Sequence, residues 1–100
     1  MKTIASVKLT KGYDHWKKCI ESDHYKTIRE NYGINFIGYG FHEESGWVYI
    51  VEDNDSPDAP QKMFDAHPTY VDEVGIDPST VIFISLEGWQ ANFLNWLQSI

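Results

Sequence analysis

The order of segments along this chain predicts an α+β domain built as β-α-β-β-α-β. Three observations carry that expectation. Apolar and polar residues alternate over Thr3 to Leu9 and in two later stretches; a helical stripe follows the first strand; and a second helical stretch, broken at Pro68, leads into a closing apolar strand. Alternation with period two marks a half-buried strand, and recurrence every three to four residues marks a helix with one buried face. At 100 residues the chain makes one domain with a single modest core.

The first strand, Thr3 to Leu9, sets Ala5, Val7 and Leu9 on one side and Ile4, Ser6 and Lys8 on the other. Thr10-Lys11-Gly12 is a turn in which Thr10 or Gly12 caps the helix that follows. That helix is expected from about Tyr13 to Tyr32. Tyr13, Trp16, Ile20, His24, Thr27 and Ile28 share its apolar stripe, while Lys17, Lys18, Glu21, Arg29 and Glu30 fall largely outside it. A break near Ser22-Asp23 would change where His24 points. Gly33 supplies the left-handed cap.

Ile34 to His42 and Trp47 to Glu52 are the next strands, joined by the hairpin loop Glu43-Glu44-Ser45-Gly46. Phe36 makes one face of the first of these apolar; Ile37, Tyr39 and Phe41 do the same for the other, so alternation does not choose the buried face. Asp53 to Pro57 leads into the second helix, with Ser56 as its cap and Pro57 in its first turn. This helix carries Met63, Phe64 and His67, is interrupted at Pro68, and resumes through Tyr70, Val71 and Val74 to Gly75. Asp77-Pro78-Ser79 then turns the chain into the last strand, Val81 to Leu86. Residues 1–87 form the domain, and residues 88–100 form an amphipathic tail. Trp89, Phe93, Trp96, Leu97 and Ile100 give that tail a helical apolar stripe, expected to dock on its own sheet or on a partner subunit.

Composition excludes several classes of function. Fifteen acidic residues against eight basic ones leave a formal charge of −7, which argues against nucleic acid and against an anionic membrane surface. Cys19 is the single cysteine, so no intramolecular disulfide or cysteine zinc knuckle forms, and a reducing, cytoplasmic setting is expected. Met1-Lys2-Thr3 enters a strand without an apolar leader, and no apolar run reaches membrane-spanning length. Aromatic residues make up 15% of the chain, more than one sheet with a single helical layer can bury. The surplus points to a subunit interface or a ligand pocket.

The helix of Trp16 ending in Tyr32-Gly33-Ile34, the stretch Gly38-Tyr39-Gly40, and Phe64-Asp65-Ala66-His67-Pro68-Thr69-Tyr70 before the closing strand carry a resemblance. Over residues 3 to 87 the chain resembles the ferredoxin-like dimeric α/β-barrel superfamily. Its members include antibiotic-biosynthesis monooxygenase domains, stress-responsive barrel proteins and small families from marine bacteria. The resemblance implies a four-stranded antiparallel sheet whose helix-free face packs on a second copy, giving a homodimeric barrel with helices outside.

Gly38 and Gly40 project to one face of their strand, which permits close backbone approach or leaves space. The candidate site is a cavity between sheet and helices bounded by Trp16, Ile20, Phe36, Gly38, Gly40, Phe64 and His67, suited to a small apolar or fatty-acyl ligand. The alternative is an enzyme, a small oxygenase, cyclase or isomerase, with His67 as the acid–base group and Trp16 or Tyr39 lining the substrate. A dimer with a purely structural or regulatory role is the third expectation. In the related monooxygenase domains a helix His, a sheet Trp and a first-strand Asn act together. Here the first strand has no Asn, which weighs against cofactor-free oxygenation and haem degradation.

Other chemistries fail on spacing. Asp53, Asp55 and Asp58 lack the glycine and glutamate of a calcium loop. Cys19 has only His15 within helical reach, and Ser45-Gly46 is a hairpin turn rather than a nucleophile elbow. No glycine-rich phosphate loop opens a helix, and no cofactor or metal is implied.

Overall fold

The computed structural model describes residues 1–86. Its elements are β1 (Lys2–Lys8), α1 (Tyr13–Glu21), α2 (Asp23–Asn31), β2 (Ile34–His42), β3 (Trp47–Asn54), α3 (Ala59–Ala66), α4 (Tyr70–Val74) and β4 (Ile82–Leu86), with a 3-10 turn at Pro78–Thr80. The strands form one antiparallel sheet in the order β2-β3-β1-β4, the ferredoxin-like α+β arrangement. The tail of residues 88–100, with its helical stripe, lies outside the described residues. Among the described residues no helix is long and apolar enough to cross a membrane.

One face of the sheet carries the core. Thr3, Ala5 and Val7 of β1 and Val48, Ile50, Glu52 and Asn54 of β3 are buried in strict alternation. Trp16, Ile20, Met63, Tyr70 and Val74 pack on them from the helices. Full burial of side chains such as Val48 or Val74 is worth roughly 1.5–3 kcal/mol each. These contacts, rather than helix propensity, hold helices of only five to nine residues in place.

The expected first helix is two. Ser22 is extended (φ −71°, ψ 148°), and its amide and hydroxyl both donate to the Cys19 carbonyl, which ends α1. The break resets the phase of α2. His24 and Thr27 are exposed and Arg29 is buried, the reverse of their assignment on one continuous helix. Gly33 follows α2 at φ +71° as expected.

A register shift lies between Phe36 and Gly38, which pair with Glu52 and Val51 in turn. The extra residue, Ile37, is the bulge. It lets Phe36, Tyr39 and Phe41 all face the helices, because the pleat inverts between them. Phe36 of one apolar set and Tyr39 and Phe41 of the other therefore pack on the core, while Ile37 is left 43% exposed and Gly38 and Gly40 turn to the helix-free face. The expectation that these glycines line the space under the helices is corrected by that one bulge.

Boundaries also move: β1 is Lys2–Lys8 and β4 begins at Ile82, each one residue from its expected place. β3 runs two residues further, to Asn54, which is buried. α3 begins at Ala59 with Pro60 in its first turn, so Ser56 and Pro57 precede it; the Ser56 hydroxyl instead donates to Asp58. α3 stops before Pro68, and α4 ends on Gly75 at φ +78°.

Candidate functional site

Between the sheet and the helices lies a cavity of about 50 Å³. Ala5, Val7 and Ile50 form its floor, Trp16 and Ile20 come from α1, and Met63, Phe64, Tyr70 and Val74 come from α3 and α4. Phe83 of β4 is its most exposed wall residue at 44%, so the open side is at the β4 edge.

Two ionisable side chains interrupt these apolar walls. Arg29 is 5% exposed and Glu52 is 3% exposed, and both line the cavity. Arg29 donates from Nη2 to the Ile20 carbonyl at 2.6 Å, closing a carbonyl that the end of α1 leaves open. Its Nη1 is 3.5 Å from the Tyr70 hydroxyl, and its Cζ stands 4.2 Å from the centroid of the Phe36 ring. Glu52 accepts one hydrogen bond, from Asn54 Nδ2 at 2.9 Å. Burial raises its pKa above the usual carboxylate range, opposed by the Asn54 amide and by the charge of Arg29. Burial likewise raises the Tyr70 pKa, again against Arg29. Behind Glu52, Thr3 Oγ1 and Asn54 Oδ1 are buried without hydrogen-bond partners among the described residues.

The structure thus brings Trp16, Ile20, Phe36 and Phe64 together around one cavity. It does not bring His67, Gly38 or Gly40 there. His67 closes α3, with its ring edge-on to Tyr32 at 5.8 Å, and no acid bonds to it among the described residues. Asp65 accepts from Gln61 instead. A Cβ built on Gly38 or Gly40 would meet nothing within 4 Å.

The residues that sequence reasoning missed are Arg29, Glu52 and Tyr70. For Glu52 the signal was present: Val48, Ile50 and Glu52 share one phase of β3, which puts the carboxyl on the buried face. Arg29 could be placed only by fixing the break at Ser22.

The remaining clusters are self-contained. Asp53 pairs with Lys2 at 2.7 Å and with the N-terminal amine at 3.0 Å, and Asp58 pairs with Lys62 at 3.3 Å. Among the described residues no group of three or more side chains could hold a metal ion. Cys19 Sγ lies 3.5 Å from His15 Nε2, and that same nitrogen is 2.8 Å from the Glu73 carbonyl. A nitrogen donating to that carbonyl cannot act as base toward the thiol.

No protein-family model and no curated protein matches this sequence. The fold is similar to that of protein Atu4242 from Agrobacterium tumefaciens. Its crystal structure aligns with a TM-score of 0.59 at 16% identity, over 90% of this chain and 96% of that one. At that identity the likeness shows a shared fold and nothing of function.

Proposed function

We propose that the chain works as a cytoplasmic homodimer of the dimeric α/β-barrel kind, each protomer holding a small ligand between sheet and helices. The observation that carries the ligand is the pairing of apolar cavity walls with two buried ionisable groups, Arg29 and Glu52. Apolar walls with a few convergent polar groups are the usual make-up of a small-molecule site. The volume favours a small occupant. About 50 Å³ is far below the roughly 300–1,000 Å³ of pockets for drug-sized molecules, so a fatty acyl chain does not fit this form of the cavity.

The helix-free sheet face supports the second copy. The strand registers set Gly40, Tyr49, Ser6 and Ile82 in one row across it, and Gly38, Val51, Ile4 and Ile84 in the next. Ile82, Ile84 and Tyr49 are 50%, 54% and 47% exposed. One edge of this face is a trough made by two glycines and the other a ridge of two isoleucines. A two-fold axis along the strands lays the ridge of each copy in the trough of the other. An axis across the strands would oppose ridge to ridge and trough to trough. The cytoplasmic setting is supported by the free thiol of Cys19.

Native mass spectrometry of the purified protein tests both parts. Twice the chain mass, with a small molecule released on activation, is the expected result. A monomer at micromolar concentration overturns the barrel, and a dimer that never carries a ligand under any loading condition overturns the binding role.

A further inference from the structure

We infer that residues 89–100 pack, within their own chain, on the helix side of β4 and complete the helical layer there. The inference goes beyond the ligand and the second copy proposed above and depends on neither.

The helical layer stops short of β4. Residues paired across a sheet share a face, so Phe83 and Ser85, which pair with Ala5 and Thr3, are on the helix side. On β1 and β3 that side is closed: none of Thr3, Ala5, Val7, Val48 and Ile50 is more than 6% exposed. On β4 it is open, with Phe83 44% exposed and Ser85 exposed beside it. Phe64 of α3 and Phe83 line the same cavity, so α3 and the sheet form an apolar corner at this edge. A phenyl ring half in water gains from any apolar cover that reaches it.

Tether, length and pattern name the occupant. β4 ends at Leu86, so residues 89–100 start beside the open row and need only reverse at Glu87-Gly88, where glycine suits a turn. A helix over residues 89–100 is roughly 18 Å long. The five residues of β4 span roughly 16 Å. Laid antiparallel to β4, the segment covers the strand from end to end. Trp89, Phe93, Trp96 and Ile100 recur about one turn apart over that whole length. Residues 89–100 carry no charged side chain, so docking desolvates no charge. The tether favours the same chain, because no second molecule has to be brought in.

The helix-free side of β4 also offers apolar residues, Ile82 and Ile84. A lone helix on that flat face is covered along one side only. In the corner between β4 and α3 it is covered along two, which buries more of its stripe.

The test is NMR on the full-length, isotope-labelled protein. Nuclear Overhauser contacts are expected from the Phe83 ring to the side chains of Trp89, Phe93 or Trp96, and none from the Ile82 and Ile84 methyls to those rings. In a sample mixing labelled with unlabelled chains, the contacts should arise within one chain. Contacts to Ile82 and Ile84 instead, contacts between chains, or no contact at Phe83 overturns the inference.

Amide hydrogen exchange gives a second reading. A helix of this length is marginal in water by itself, so protection over residues 89–97 reports docking. Phe83→Ser should lower that protection roughly tenfold, as one partly buried ring is lost, and Ile84→Ser should leave it unchanged. Protection in β1 and β3 checks that both variants keep the sheet. If Phe83→Ser fails to fold, the contacts in the unaltered chain decide. Equal loss in both variants, or no protection in the unaltered protein, also overturns the inference. A monomer that shows the Phe83 contacts removes the barrel and leaves this inference standing; a dimer whose segment crosses to the partner does the reverse.

Discussion

The guanidinium of Arg29 stands 4.2 Å from the Phe36 ring centroid while closing the Ile20 carbonyl at 2.6 Å. One side chain of α2 thereby ties the end of α1 to strand β2, beneath the break at Ser22. The arrangement combines a charge-assisted hydrogen bond with a desolvated cation–π contact.

Arg29→Ala should therefore destabilise the fold by roughly 2–4 kcal/mol, since it leaves a buried carbonyl open and a void over Phe36. Arg29→Lys keeps the charge without the planar fork and should cost about half as much. Urea denaturation midpoints measure both. An unchanged midpoint for Arg29→Ala would mean that the tie between α1, α2 and β2 contributes nothing.

Glu52 gives a pH signature of definite sign. Burial raises its folded pKa, so the native state keeps its proton where the unfolded chain has released it. Stability contributed at low pH is then lost as pH rises from about 4.3, the unfolded value, through the raised folded value. Glu52→Gln has no such titration. Its stability relative to the wild type should grow with pH across that window and stay higher at neutral pH. Asp53, Asp58 and Glu73 have lowered pKa values, from hydrogen bonds given first by Lys2, Ser56 and Tyr25. Their stabilisation is lost as pH falls, but it is common to both proteins and cancels in the difference. Denaturation of the pair at several pH values measures the slope; a wild type that gains on Glu52→Gln with rising pH would show an ionised, well-paired carboxylate.

The element order and nearly every strand were legible in the sequence, because Ala5 with Val7 and Val48 with Ile50 alternate without exception. The site was less so, for two local reasons. Ser22 interrupts a stripe that is otherwise continuous by spacing, and nothing in Ser22-Asp23 outweighs that spacing by propensity alone. In β2 the bulge at Ile37 changes the pleat in mid-strand, so no single phase could seat Phe36 and Tyr39 on one face. Each event moves side chains by half a turn or by a whole face. The first displaces Arg29, His24 and Thr27, and the second displaces the two glycines.

Gly33 is a fixed point of the fold. Its φ of +71° is left-handed, and an added Cβ would lie 2.3 Å from Asp55 Oδ2 and 2.7 Å from Asp55 Cβ. The Asp55 amide donates to the Gly33 carbonyl at 2.9 Å, so the two residues cannot separate freely. Gly33→Ala should cost about 1–2 kcal/mol for the backbone conformation and more for the clash. Adding Asp55→Gly should recover the clash and leave the backbone cost, which a double-mutant cycle in urea reads directly. Additive effects would show that the two side chains do not meet.

Gly38 and Gly40 make the opposite prediction. Neither has positive φ, and a Cβ at either meets nothing within 4 Å of its own protomer. Gly40→Val should leave the isolated protomer as stable as before or slightly more so, because a β-branched residue suits a strand. If the second copy lies over this face with its axis along the strands, Gly40 sits opposite Ile82 and Gly38 opposite Ile84, each within its own row. Filling the trough should then weaken dimerisation roughly tenfold or more, about 1.4 kcal/mol per decade. Gly40→Val with Ile82→Ala returns the lost space and should restore much of the association, whereas Gly40→Val with Ile84→Ala should restore less. Sedimentation velocity across a concentration series measures all four proteins. Rescue that does not distinguish Ile82 from Ile84 would place the two-fold axis elsewhere, and a dimer indifferent to Gly40→Val would take this face out of the interface.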